Sequence, residues 1–96
     1  MPSAHWRRIL LDDTDWTAED EAFNWALSKR IGEARRAAGK TQSAVARETG
    51  IKYSTICRIE TGRARIGLDL LQRLADGIGV SATKLLPRTD QVTPAA

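Results

Sequence analysis

Lys52, Tyr53, Ser54, Cys57 and Arg58 place two cations, a phenol, a hydroxyl and a thiol within seven residues. Their chemistry is hydrogen bonding and charge rather than bond making. The single histidine, His5, stands near the N-terminus, far in sequence from this group, and reads as an exposed residue of an arm. One cysteine permits neither an intrachain disulfide nor a Cys-based zinc site. Asp12, Asp13 and Asp15 read as solvated acids rather than a metal site. The segment Gly62-Arg63-Ala64-Arg65-Ile66-Gly67 is rich in glycine and arginine but lacks the Lys-Ser/Thr of a phosphate-binding P-loop. No catalytic set emerges, so the chain reads as no enzyme, with no cofactor and no metal.

The elements that must position the polar group are helical. Helix formers abound, aromatics make up 5% of the chain, and the three prolines, Pro2, Pro87 and Pro94, lie near its ends. Thr17 with Asp20 forms a variant capping box. Phe23, Leu27, Ile31, Ala34 and Ala38 then recur at spacings of three and four, which predicts a helix to about Ala38, ended by Gly39. Thr41 caps a second helix, with Val45, Ala46 and Thr49 inside and Gly50 at its end. A third begins near Lys52, buries Ile56 and Ile59, and closes at Gly62. Leu68, Leu71, Leu74, Ala75 and Ile78 are the apolar positions of a fourth, ended by Gly79. Ser81 caps a short fifth that includes Leu85 and Leu86 and stops at Pro87. The expected organisation is an arm over residues 1–16, a helical domain over 17–86 and a flexible tail over 87–96. Within the arm, Trp6 to Leu11 fits either a short strand or one helical turn.

Charge is unevenly spread. Residues 1–28 carry two basic and six acidic side chains, residues 29–66 carry ten and three, and residues 67–96 carry three of each. The basic middle is the footprint of a nucleic-acid binder, and equally of a well-solvated helix surface. No apolar run approaches the ~18 residues that cross a bilayer. The apolar stretch after Arg7 and Arg8 is too short for a signal-peptide core. The expected location is the cytoplasm, on the nucleoid, with no membrane partner.

Residues 41–62 are two short helices joined by a turn at Gly50. Small Ala46 allows close approach, Ile51 plugs the gap between the helices, and Ile56 and Ile59 anchor the third helix from below. Lys52, Tyr53, Ser54, Cys57 and Arg58 are left on its far side. A helix with an aliphatic back and a polar front fits the major groove.

This pattern resembles the helix-turn-helix of the phage repressor and Cro, or Xre-type, family. The resemblance rests on Thr41-Gln42, Val45-Ala46, Gly50, Ile56-Cys57-Arg58-Ile59-Glu60 and Gly62-Arg63. It continues through Leu68-Asp69-Leu70-Leu71, Leu74-Ala75, Gly79-Val80-Ser81 and Leu85-Leu86, covering about residues 27–86. It implies an all-α, five-helix lambda-repressor-like domain with an N-terminal extension, and double-stranded DNA as partner. By the same resemblance, residues 52–61 form the recognition helix and Lys52, Tyr53, Ser54 and Arg58 face the bases. The Arg58 fork suits guanine O6 and N7. Thr41 and Gln42 then meet phosphate at the start of the second helix, where Gln42 also braces the start of the recognition helix. Arg63 and Arg65 clamp the DNA backbone, and Arg35 with Glu60 makes a structural ion pair. The chain departs from the family pattern at Lys52, where Ser or Thr usually caps, at Cys57 and at Gly77. An exposed Gly77 inside the fourth helix costs about 1 kcal/mol against Ala.

The function expected is a homodimeric transcription regulator, a repressor, on a pseudo-palindromic operator, with dimer contacts around Val80 to Leu86. An antitoxin-type regulator that also holds a toxin through a terminal extension is the alternative, and a protein-interaction module that has lost DNA binding is a third reading. Cys57 reads as a small residue with no signalling role, against a redox switch. Arg36 reads as solvated. Phe23 is expected to fold back on its own domain, whereas Trp25 fits either its own domain or a second chain. Trp16 likewise fits its own domain or a second chain, and the Trp6 to Leu11 arm, if ordered, is expected to pack on a partner chain.

Overall fold

The computed structural model describes residues 18–88 and residue 92. The expectations for His5, the Trp6 to Leu11 arm, Asp12, Asp13, Asp15, Trp16, the Thr17 cap and most of the tail lie outside the described residues. The order is α1 (Ala18–Ala37), α2 (Gln42–Thr49), α3 (Tyr53–Glu60), α4 (Leu68–Ile78) and α5 (Ala82–Leu85), the all-α, five-helix order expected. Strands are absent among the described residues.

Each helix forms where its sequence satisfies both ends and one face. The first turn of α1 carries Glu19, Asp20 and Glu21 and its last turn Arg35 and Arg36, the arrangement that suits the helix dipole. At its end Gly39 N–H donates to Arg36 O (2.9 Å) and Lys40 N–H to Arg35 O (3.1 Å). Thr41 caps α2 by accepting from Ala44 N–H at 3.0 Å. Ser81 occupies the same position before α5 but makes no cap bond; its hydroxyl pairs with Thr83 at 3.1 Å instead.

The core gathers Leu27 and Ile31 of α1, Val45 of α2, Ile56 and Ile59 of α3, Leu71, Leu74, Ala75 and Ile78 of α4 and Leu85 of α5, with Ile51 between α2 and α3. Burying each large aliphatic side chain is worth about 1.5–3 kcal/mol. Arg30 of α1 holds the last helix down, its Nη2 donating to Lys84 O at 2.5 Å.

Several expectations about the core are corrected. Phe23 does not fold under α1: it is 41% exposed although it shares the spacing of Leu27 and Ile31, because the core begins at Leu27 and the turn before it meets residues 62–66 through Asn24 and Trp25 instead. Ala38 lies past the helix end and is exposed. Leu68 is 83% exposed, since the first residue of α4 projects before the helix meets the core. Gly77 is buried rather than exposed. A Cβ there would lie 2.3 Å from Thr49 Cγ2, so the glycine is what lets α2 and α4 approach.

Candidate nucleic-acid interface

The turn between α2 and α3 is tied by Thr49. Its hydroxyl donates to Val45 O at 2.7 Å and accepts from Ile51 N–H at 3.1 Å. Gly50 takes a left-handed conformation, φ 76°, which a side chain would strain, and its N–H returns to Ala46 O at 2.9 Å. Ile51 is then turned inward and buried, and the chain leaves the turn at the angle that starts α3.

Lys52 sits at the N-cap of α3 in extended backbone and supplies no side-chain cap bond. Its carbonyl accepts from Thr55 and Ile56 N–H, both at 3.0 Å. The helix that follows divides cleanly. Ile56 and Ile59 are sealed in the core. Lys52, Tyr53, Ser54 and Arg58 are exposed on the other side. Lys52, Ser54 and Arg58 make no side-chain hydrogen bond or ion pair among the described residues, so their donors are open. Interaction with the Cys57 thiol one turn on raises the Tyr53 phenol above its ordinary pKa, against a smaller opposing effect of the Arg35 charge. The phenol therefore stays protonated and able to donate.

Cys57 does not join that open face as a free group. It is half-buried, and its thiol donates to Gln42 Oε1 at 3.6 Å. The other end of the same amide, Gln42 Nε2, donates to Glu60 Oε1 at 3.1 Å. Gln42 therefore braces the second half of α3, not its start. Glu60 also receives Arg35 in a fork, Nε to Oε2 at 2.7 Å and Nη2 to Oε1 at 3.0 Å. Both members of this pair are largely shielded, with side chains 12% and 8% exposed. The Glu60 hydrogen bond raises the Arg35 pKa against the opposing effect of burial. Arg35 Nη1 further donates to Lys40 O at 2.8 Å. Lys40 carries the network on, its Nζ pairing with Glu48 at 2.8 Å and donating to Gly77 O at 2.8 Å. One connected set of polar contacts thus fixes α1, α2, α3 and α4 relative to one another. Within this set the shielded Arg35 and Glu60 do most to specify the arrangement, since leaving either unpaired is costly.

Past α3 the chain turns with Gly62 at φ 74°, where Gly62 N–H donates to Ile59 O (3.2 Å) and Arg63 N–H to Arg58 O (2.8 Å). Arg63 and Arg65 are exposed on the loop that follows. That loop is held from α1. Asn24 Nδ2 donates to Ala64 O at 3.1 Å, and Ile66 N–H donates to Asn24 Oδ1 at 3.4 Å. Trp25, 52% exposed, lays the edge of its ring against Gly62. Asn24 was invisible to a reading of apolar periodicity, because a lone polar residue inside a stripe carries no pattern of its own.

A family model described as helix-turn-helix matches residues 31–85, more than half of the chain. The chain belongs to the helix-turn-helix family. It is a DNA-binding transcription regulator of the Xre and Cro/C1 type. No curated protein matches the chain. Two solved structures are similar. The restriction-modification controller protein C.AhdI from Aeromonas hydrophila is 24% identical, with a TM-score of 0.62 over 65% of this chain and 94% of that one, a likeness of fold. A hypothetical transcription factor, NHTF, from Neisseria is 25% identical, with a TM-score of 0.65 over 72% and 79% of the two chains. Family and fold point to a regulator rather than an enzyme. Among the described residues no helix is long and apolar enough to cross a membrane, and no cluster of three potential metal ligands occurs.

Proposed function

We propose that this helix-turn-helix chain is a sequence-specific repressor that binds a pseudo-palindromic operator as a homodimer, with α3 in the major groove. The observation that carries the reading is the division of α3. Two isoleucines are sealed in the core, and Lys52, Tyr53, Ser54 and Arg58 stand exposed opposite them. In this reading those four residues face base edges, with the Arg58 fork on guanine O6 and N7. Thr41 and Gln42 at the start of α2, and Arg63 and Arg65 beyond α3, lie against phosphates and set the register. The Gln42 amide spends one N–H on Glu60 and carries a second for a phosphate oxygen. Eight residues of helix read few base pairs, so useful specificity calls for two copies, their recognition helices about 34 Å apart.

Selection of bound sequences from random duplex DNA tests this. The expected result is a two-fold symmetric motif whose half-site centres lie about one helical turn apart. Binding with no enrichment, lost steeply as salt rises, would reduce the protein to a phosphate-driven binder.

A further inference from the structure

The turns of α1 before Ile31 lie outside the segment that the family model matches, yet they hold the loop that carries Arg63 and Arg65. Asn24 is 9% exposed and gives both ends of its amide to that loop. The two bonds go to Ala64 O and Ile66 N–H, so they fix the backbone immediately before and after Arg65. Trp25 closes the start of the same loop: a Cβ on Gly62 would lie 2.4 Å from Trp25 Cε3. A buried amide among Ala22, Ala26 and Leu27 is costly unless both its ends are bonded. Here both are bonded, and both bonds go to a segment with no helix or strand of its own.

We propose that Asn24 is a positioning residue for DNA binding, holding the loop so that Arg65 is already placed for the phosphate it meets. This rests on the reading above that Arg65 contacts the DNA backbone. A loop released from Asn24 still carries its arginine, but it must be ordered when the complex forms, and that ordering weakens binding without deleting a contact.

The test uses the full chain and the duplex recovered by selection, titrated at several salt concentrations. The variants are Asn24→Ala, Arg65→Ala and the double substitution, each checked for a helical, cooperatively melting fold. Asn24→Ala is expected to weaken binding about tenfold with the salt slope nearly unchanged, because the cation still reaches its phosphate. Arg65→Ala is expected to flatten the slope by about one to two units for a dimer. In the Arg65→Ala background, Asn24→Ala is expected to cost less than about twofold, since the two act through one contact. An equal loss in both backgrounds, or no loss from Asn24→Ala alone, overturns the proposal. Wild-type protein that fails to bind, or Arg65→Ala that leaves affinity and slope unchanged, overturns the underlying reading instead, and shows it without reference to Asn24. Should Asn24→Ala not fold, Trp25→Leu frees the loop from its Gly62 end; the same coupling to Arg65→Ala supports the proposal, and strict additivity overturns it.

Discussion

On its inner side α3 seals Ile56 and Ile59 and gives Glu60 to Arg35 and Gln42; on its outer side Lys52, Tyr53, Ser54 and Arg58 are exposed. The two sides alternate within eight residues, so the same backbone serves both. The inner side tolerates little change, because each group has its partner and a change leaves a cavity or an unpaired polar atom. The outer side is not needed for folding, which leaves its residue types to be set by what the helix touches. Stability and recognition are therefore expected to separate under mutation.

The largest expected effect is on the inner side. Ile59→Ala should lower the unfolding free energy by about 3–4 kcal/mol by leaving a hole where α3 meets the core, as read by urea denaturation. Glu60→Ala should cost about 2 kcal/mol by stranding the shielded Arg35 and freeing Gln42, and thermal melting reports it. The outer side should behave oppositely. Arg58→Ala is expected to leave stability within about 0.5 kcal/mol while removing about 1–3 kcal/mol of discrimination at one base pair of each half-site. The smallest effect, and the one that bears most on the boundary between the sides, is at Lys52. Lys52→Ser restores a capping hydroxyl and should raise stability by about 0.5–1 kcal/mol while weakening DNA binding. A variant that moved stability and affinity together at Arg58 would break the separation.

The inner side was largely legible in the sequence, and the reasons are local. Thr41, Gly39, Gly50 and Gly62 punctuate the chain with residues whose capping and turn chemistry depends on near neighbours. The isoleucine spacing in α3 fixes which side is buried. The misreadings are all matters of tertiary placement. Phe23 is in register with Leu27 and Ile31 but stands one turn before the point where α1 enters the core, so its ring is exposed. Leu68 precedes the point where α4 meets the core. Gly77 reads as a weakness of α4 until Thr49 is seen against it. Gln42 bracing the far half of α3, and Asn24 reaching the loop forty residues on, depend on helix crossings that no local pattern encodes. The exposed polar types on α3 were readable, but which base each one faces is a property of the complex.

The division of α3 is tested most directly by repeating the selection from random duplex DNA with Arg58→Ala beside the wild-type chain. The account predicts a two-fold symmetric motif for the wild type and the same motif for the variant with one position relaxed in each half-site, while both proteins melt at closely similar temperatures. An unchanged motif, or a uniform loss of binding at every position, would contradict the assignment of the outer side of α3 to the bases.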